Sequence, residues 1–453
     1  MSASTPLSER FNLKLSRLKL VANLVKADNV KILFPNTTLS QLGQSTVSLQ
    51  LYKRKNRNLI MLLHKLILTN LLSFEKTILD LKPLNILIGH NGSGKSNLIE
   101  AISLIQSAPG SIAAPIREGG GIRDWIWQGA GTHSHAGVEA FVSPLDANMP
   151  NIHYGIEFSA VNQRFEISDE CIENEKSIGL AKEPCRFFYF RSGTPYINFR
   201  QDNISDAGKE RQLRREDIDS EKSILAQRRD PDHYPELTYL ADVFTKIRIY
   251  RDWSFGRYTA PRLPQKVDLP TDFLQENCQN LGLILNKLRN IPEVKDAILD
   301  ALNALYPTIT DFGVSIEGGS VQVFLHEGRF SMPATRLSDG TLRYLCLLAI
   351  LCHPQPPPLI CIEEPELGLH PDALGKLAEL MKVASSRTQL IVTTHSDLLV
   401  DAFTDIPDAV VTFEKEGEAS SVKRLDTAEL EEWLNKYTLG AMRQSGHIGG
   451  NRW

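Results

Sequence analysis

Residues 89–96 of this 453-residue chain combine glycine, lysine and serine in an order that suits phosphate binding. They fit the pattern G-x-x-x-x-G-K-[ST], in which glycines let the backbone turn tightly and point its N–H groups at an anion. Lys95 would neutralise the β- and γ-phosphates of ATP, and Ser96 would offer its hydroxyl to Mg²⁺. The predicted ATP-binding residues of this phosphate loop are Gly89, Asn91, Gly92, Ser93, Gly94, Lys95 and Ser96.

A second candidate for catalytic residues is the pair Glu363 and Glu364, which follows the apolar run at residues 359–362. A buried strand that ends in paired acids is the Walker B pattern of ATPases. Glu363, at a position where Asp is usual, would hold Mg²⁺ through water. Glu364 would polarise the attacking water as a general base.

Strands and helices must position the phosphate loop and the two acids. Residues 85–88 predict a strand entering the phosphate loop, and residues 97–102 predict a helix whose N-terminus faces the anion. Two further strands are predicted at residues 66–70 and 77–81, around a turn. Alternating apolar residues further along predict an antiparallel sheet. Its strands would lie near residues 138–142, 152–158, 164–167 and 187–190. Amphipathic helices are predicted at residues 235–250, 281–289 and 294–305.

With these motifs in place, residues 61–123 and 336–403 resemble the ATPase heads of the RecF/SMC branch of the ABC-type superfamily. The resemblance rests first on Asn70, on Ser73-Phe74 and on residues 84–98. It implies an α/β fold, namely a P-loop NTPase of the ABC-ATPase head type. Such a head has a RecA-like core, an antiparallel β lobe and an inserted helical lobe, and it uses ATP and Mg²⁺.

Later motifs extend the resemblance. Residues 337–341, Leu-Ser-Asp-Gly-Thr, resemble the ABC signature LSxGQ, with Thr where Gln is usual. In the family, Ser338 and Gly340 would bind the γ-phosphate held by another subunit, so the resemblance implies an ATP-dependent homodimer. Residues 367–372 resemble the D-loop, and His395 follows a predicted strand as the switch histidine that contacts the γ-phosphate. Alone, each motif could be a capping serine, a pair of surface acids or a turn histidine, but their order favours one site.

ABC-type heads also use a glutamine that reaches Mg²⁺ and the attacking water. Gln227 is the candidate because it follows the predicted β lobe, and Gln128 is the alternative. An ordinary surface glutamine remains an equal interpretation for either residue.

The chain would divide into four parts. Residues 1–60 form an N-terminal extension, residues 61–200 the first part of the head with the β lobe, residues 201–335 an inserted and mainly helical lobe, and residues 336–453 the second part of the head. The first part carries ten Lys or Arg residues and only two acids. It could be a genuine extension, a basic targeting segment or translated sequence upstream of Met61, and we favour the last.

Composition narrows the functional classes. Net charge is −4, no apolar run reaches the length of a membrane span, and the six cysteines form no C-x-x-C pair. We therefore expect a cytoplasmic protein with reduced thiols and no membrane partner. The resemblance implies work in DNA repair or phage defence, passed to DNA or to a partner nuclease.

Two alternatives compete with this interpretation. One is the ATP-binding subunit of a membrane transporter, against which the 243 positions between Lys95 and Ser338 argue. The other is a self-contained nuclease of the overcoming-lysogenization-defect type. Only 58 residues follow His395, too few for the additional nuclease domain.

Overall fold

The computed structural model describes residues 61–449 apart from 130–133, 147, 178–182, 192 and 200–208. All of them belong to the second of two units, Lys53–Trp453. The predicted extension at residues 1–60 and the last four residues, 450–453, lie outside this described part.

Strands and helices are numbered along the described chain. The strands are β1 Leu63–Leu71, β2 Phe74–Asp80, β3 Leu84–Gly89, β4 His135–Val142, β5 Ile152–Val161, β6 Arg164–Asn174, β7 Arg186–Arg191, β8 Thr194–Phe199, β9 Lys209–Gln212, β10 Arg248–Tyr250, β11 Gln265–Lys266, β12 Asp311–Glu317, β13 Ser320–Glu327, β14 Phe330–Pro333, β15 Leu359–Glu363, β16 Gln389–Thr393, β17 Val410–Glu416 and β18 Ala419–Arg424. The helices are α1 Lys95–Ser107, α2 Ala113–Glu118, α3 Ile122–Trp125, α4 Ile224–Gln227, α5 Pro235–Thr245, α6 Leu281–Arg289, α7 Pro292–Leu305, α8 Asp339–Leu351, α9 Asp372–Ala384, α10 Asp397–Asp401, α11 Thr427–Leu434 and α12 Leu439–Gln444.

The core of the head is a six-stranded sheet in the order β10-β15-β16-β3-β17-β18. Its first five strands run parallel, and only β18 is antiparallel. Residues of β3, β15 and β16 are almost all buried, as expected for strands covered on both faces. The carboxyl ends of these strands therefore meet at one edge, where parallel α/β sheets bind ligands.

An antiparallel sheet of eight strands, in the order β2-β1-β4-β5-β6-β7-β8-β9, forms the β lobe. The predicted hairpin is confirmed, with β1 paired to β2 around a turn at Leu72 and Ser73. The strands predicted from alternation in β4 to β7 are confirmed as well, each longer than its sequence signal.

Gln389 joins the two large sheets. This side chain is fully buried at the start of β16, and its Oε1 accepts from the N–H groups of Leu62 and Leu63 at 3.1 and 2.9 Å. Its Nε2 donates to the carbonyl oxygens of Leu63 and Lys82 at 2.7 and 3.1 Å. All four bonds of the amide are thus made, which satisfies a polar group that would otherwise be costly to bury.

A buried carboxyl group ties the β lobe to α4. Glu170 accepts bonds from the Ser223 hydroxyl at 2.5 Å, from Tyr154 OH at 3.1 Å and from Ile224 N at 2.8 Å. Burial raises the pKa of Glu170 to about 7, against the opposing effect of these three donors.

The inserted lobe differs from the prediction in one respect. Helices α6 and α7 are present where residues 281–289 and 294–305 predicted them. Beside them lies a small antiparallel sheet of β11, β12, β13 and β14, which sequence analysis did not predict. Its cross-strand pairs bury Phe312, Val323 and Leu325 against the helices.

The helix predicted over residues 235–250 is wrong at its end. Helix α5 stops at Thr245, and Arg248–Tyr250 instead form β10, which pairs in parallel with β15. Three residues are too few to show a strand period, whereas their pairing with the buried Ile360–Ile362 run decides the structure.

Within the described part of the chain, no helix has both the length and the apolar character that crossing a bilayer requires.

Candidate ATP site

The phosphate loop lies between β3 and α1, as predicted. Gly94 precedes the helix at φ 104°, in the left-handed region that favours glycine. A Cβ at this position would lie 2.4 Å from Ser420 Oγ and 2.8 Å from Ser73 Oγ, so a side chain cannot fit. Ser73 also accepts a bond from Asn97 Nδ2 at 2.8 Å. The Ser73-Phe74 turn, on which the resemblance partly rests, thus packs against the phosphate loop and the first turn of α1.

Lys95 is buried at the first turn of α1. Its Nζ donates to the carbonyl oxygens of Gly89 and His90 at 2.8 and 3.0 Å. Burial and, to a smaller extent, the positive charge of Arg443 lower the pKa of Lys95 to about 8, although nearby acids oppose both effects. The ammonium group therefore lies where an anion would be its strongest partner.

Glu363 ends β15 beside Ser96. Burial raises the pKa of Glu363, while the Ser96 hydroxyl and the positive charge of Arg251 oppose that shift. Its Oε1 atom is buried and has no hydrogen-bond partner among the described residues. A carboxylate oxygen without a protein partner, next to a serine hydroxyl, fits a hard divalent cation such as Mg²⁺.

Glu363 and Ser96 would supply only part of the ligand shell of that ion. The described residues contain no group of three or more His, Cys, Asp or Glu side chains that could hold a metal. Phosphate oxygens of a nucleotide would have to complete the shell, as is usual for Mg²⁺ in phosphoryl-transfer sites.

Glu364 has a strained backbone. Its φ is 44°, a left-handed value that is uncommon for any residue but glycine, asparagine or aspartate. The N–H of Glu364 donates to the carbonyl oxygen of Thr393 at 3.1 Å, and its carbonyl oxygen accepts from Arg343 at 3.3 Å. These bonds hold the residue in a conformation that places its carboxylate next to His395.

The peptide of His395 is held by Glu366. Oε1 of Glu366 accepts from His395 N at 2.8 Å and from the Thr394 hydroxyl at 2.7 Å. Burial lowers the pKa of His395, and the charge of Lys95 adds to this effect. The imidazole is therefore neutral at pH 7 and can donate one hydrogen bond to a phosphate.

Lys95, Glu364 and His395 line one cavity of about 330 Å³, whereas Glu363 is not part of its lining. Its lining consists of Asn91, Gly92, Gly94, Lys95, Ser96, Asn97, Glu364, Thr393 and His395. The fold thus brings the phosphate loop, the acid after β15 and the histidine after β16 to the same edge of the sheet.

Ser338 and Gly340 lie elsewhere, at the start of α8. The Ser338 hydroxyl caps this helix by accepting from Thr341 N at 3.1 Å. A Cβ on Gly340 would lie 2.3 Å from the carbonyl oxygen of Gly368, so the signature packs directly on the D-loop segment. Neither residue belongs to the described lining of the phosphate cavity.

Arg262 binds the segment that leads into α8 and its first residue, Asp339. This buried arginine donates to Asp339 Oδ1 at 2.5 Å and to the carbonyl oxygen of Ala334 at 3.3 Å, and it also bonds the Leu337 carbonyl. Sequence analysis did not identify this role, because Arg262 and Asp339 are 77 positions apart.

The two candidate glutamines serve local structure. Gln227 Nε2 donates to the carbonyl oxygens of Asp219 and Lys222 at 3.1 and 2.7 Å, and Gln128 donates to those of Arg123 and Ile126 at 2.8 and 3.0 Å. Neither lines the phosphate cavity. A catalytic role for either glutamine stays a prediction that these contacts do not support.

Other residues occupy the space next to Glu363. Arg251 follows β10 and pairs with Glu100 of α1, and Trp253 Nε1 donates to the carbonyl oxygen of Glu363 at 2.9 Å. The guanidinium of Arg343 lies 5.3 Å from the Trp253 ring centroid. Recognising β10 as a strand of the parallel sheet would have directed attention to the residues that follow it.

Comparison with known proteins agrees with this geometry. Residues 84–401 match the family described as "AAA domain, putative AbiEii toxin, Type IV TA system". No curated protein matches the chain.

Among solved structures, an Smc head bound to the C-winged helix domain of ScpA is similar at 14% identity and a TM-score of 0.52, covering 81% of this chain and 99% of that one. An Smc head with an extended coiled coil, bound to the C-terminal domain of ScpA and derived from Pyrococcus furiosus, gives 15% identity and a TM-score of 0.51, covering 83% and 99%. These similarities show a shared fold. The chain therefore belongs to this AAA-domain family and carries a P-loop ATPase domain with the fold of an SMC-type, ABC-like head.

Proposed function

We propose that this chain binds ATP with Mg²⁺ and hydrolyses it with Lys95, Glu364 and His395, and that two copies close head to tail around the nucleotide. The observation that carries the proposal is the shared cavity, in which a phosphate loop faces Glu364 and His395 while Ser338 lies outside.

Each residue has a distinct task. Lys95 and the loop N–H groups bind the β- and γ-phosphates, and Ser96 with Glu363 would hold the Mg²⁺ ion. When bound, the ion neutralises charge on the phosphates. Glu364 accepts a proton from the attacking water, and neutral His395 donates a hydrogen bond to a γ-phosphate oxygen. The backbone of Glu364 is held in its strained conformation by its bonds to Thr393 and Arg343.

Closure of a dimer would complete the site. Ser338 and the first N–H groups of α8 form the kind of helix N-terminus that binds anions, and α8 is 13 residues long. In the proposed dimer, this N-terminus faces the γ-phosphate on the partner's loop, in a two-fold arrangement. ATP then favours the closed state and hydrolysis the open one.

We propose that this ATP-dependent opening and closing serves DNA repair or phage defence in the cytoplasm. The dimer would act on DNA or on a partner nuclease. The similarity to SMC heads, two of which were solved with a domain of ScpA, supports a protein partner. The family description names a toxin system, which supports defence. All six cysteines are outside disulfides, in agreement with a reducing compartment. No observation favours the transporter subunit.

The test compares wild-type protein with Lys95→Ala and Glu364→Gln. Wild type should release phosphate from ATP, Lys95→Ala should not bind ATP, and Glu364→Gln should bind ATP but hydrolyse it about 10²–10⁴-fold more slowly. Sedimentation with ATP should show Glu364→Gln as a dimer. ATP binding that is unchanged by Lys95→Ala would refute the site.

A second measurement tests whether the partner is DNA or a protein. Duplex DNA should change the ATPase rate of the wild-type protein if DNA is bound near the head. An unchanged rate, together with no DNA binding by Glu364→Gln in ATP, would leave only a protein partner.

A further inference from the structure

Helix α12 packs closely on α10, which begins two residues after His395. The N–H of Gly440 donates to Asp401 Oδ1 at 2.6 Å. A Cβ on Gly440 would lie 2.5 Å from that same oxygen and 2.6 Å from the carbonyl oxygen of Asp397. Leu439 and Met442 are buried on either side of this contact. The two helices are therefore packed at a distance that only glycine permits.

From α12, Arg443 reaches the switch segment. Its Nη1 donates to the carbonyl oxygen of His395 at 3.2 Å and to Asp397 Oδ1 at 3.0 Å. The side chain is only 7% exposed. The positive charge of Arg443 lowers the pKa of both Lys95 and His395, so it acts on the same region as the phosphate loop.

His395 is thereby held at both ends of its own backbone. Glu366 accepts from its N–H, and Arg443 donates to its carbonyl oxygen. A residue fixed at both polar backbone atoms keeps one backbone orientation, which limits the rotamers open to its imidazole.

We infer that Arg443 is a positioning residue for ATP hydrolysis, which fixes the backbone of His395 and so sets where its imidazole meets Glu364 and the γ-phosphate. This inference rests on the proposed ATPase function. It makes α12 part of the ATP site, although this helix lies outside residues 84–401, the part that matches the family.

The first experiment removes the guanidinium with Arg443→Met. We expect kcat to fall at least ten-fold, since small misplacements of catalytic groups are costly, while the KM for ATP changes less than three-fold. Arg443→Lys keeps the charge but not the forked donor geometry, so it should recover part of the loss. The matched control is Arg387→Met at the opposite end of β16, where Arg387 donates to the carbonyl oxygens of Leu351 and Val383. This control should leave kcat unchanged.

The deciding experiment is a double-mutant cycle with His395→Ala. If Arg443 acts through His395, Arg443→Met should lower kcat less than two-fold further once the imidazole is gone. Full additivity of the two losses would overturn the inference, and so would an unchanged kcat in Arg443→Met. An equal loss of kcat in Arg387→Met would also overturn the inference, because the loss would then be explained by a less stable fold and not by the position of His395.

The cycle also separates this inference from the proposed function. If the ATPase activity of His395→Ala is lower than that of wild type, the proposed function is supported, whatever the effect of Arg443→Met. Should Arg443→Met not fold, Arg443→Lys carries the same cycle with a smaller expected loss.

Discussion

The imidazole of His395 lies against the carboxylate of Glu364, with Nε2 3.4 Å from Oε1. The two residues follow neighbouring parallel strands, in which Glu363 pairs with Thr393. Their approach is therefore set by the register of β15 and β16. Because that register is fixed by buried side chains on both strands, the pair is formed by the fold itself.

The first prediction concerns strain at Glu364. Glycine adopts its φ of 44° without cost, whereas other residues lose roughly 1–2 kcal/mol in the left-handed region. Glu364→Gly should therefore be more stable than Glu364→Gln by about 1 kcal/mol, although both lack the base. Denaturant unfolding of the two variants measures the difference. Equal stability would show that Glu364 is not strained.

The second prediction concerns proton uptake by Lys95. Its pKa is lowered to about 8, and phosphate anions should raise it on binding. ATP binding should then take up a proton above pH 8, and the dissociation constant should rise roughly ten-fold between pH 7.5 and 9. Calorimetric titration in two buffers with different ionisation enthalpies measures both quantities.

Lys95→Arg is the control for that prediction. Its guanidinium stays charged through pH 9, so any residual binding by this variant should lack the extra proton uptake. A wild-type dissociation constant that does not change between these pH values would contradict the lowered pKa.

The third prediction tests whether the ATP site is shared between two chains. Lys95→Ala and Ser338→Arg should each be inactive alone, the second because a bulky cation at the start of α8 blocks closure. In a mixture, each heterodimer has one site with both changes and one with neither. ATPase activity should return to about a quarter of wild type if protomers pair statistically and the sites act independently.

Strict coupling between the two sites would suppress this rescue in a true dimer. Sedimentation of Glu364→Gln with ATP accompanies the mixing experiment for that reason. Absence of rescue together with a monomeric Glu364→Gln would rule out the head-to-tail dimer.

The fourth prediction concerns the buried carboxyl group of Glu170, whose pKa is raised from 4.5 to about 7. Between these values the folded chain binds more protons than the unfolded chain, so the free energy of unfolding falls as pH rises. In Glu170→Gln the amide oxygen can accept from Ile224 N, and the amide N–H groups can donate to the hydroxyl oxygens of Tyr154 and Ser223, so the site stays bonded without a charge. Relative to this variant, wild type should lose about 2 kcal/mol between pH 5 and 8, measured by urea unfolding. An identical pH dependence in both proteins would show that Glu170 titrates normally.

Much of this site could be predicted because its signals are local. The phosphate loop, the acids after residue 362 and His395 each follow a short apolar run, and such runs identify buried strands in a single sequence. The antiparallel strands from His135 to Arg191 also show a local signal, since their exposed and buried residues alternate.

Other features depend on residues far apart in the chain. Strand β10 exists because Arg248–Tyr250 lie beside β15, more than a hundred positions later. Arg262 and Arg443 gain their roles from partners 77 and 48 positions away. No composition or period marks such arginines, so a single sequence does not reveal them. The domain boundaries and the assignment of site residues to catalysis stay predictions.

The position of β3 in its sheet has a consequence for synthesis on the ribosome. This strand carries the phosphate loop, yet its two neighbours, β16 and β17, are made about 300 and 320 residues later. At 5–20 residues per second, both edges of an apolar strand stay unpaired for roughly a quarter of a minute to a minute. During that interval the nascent chain presents an aggregation-prone segment. Chaperone demand should therefore fall once residue 416 has left the exit tunnel.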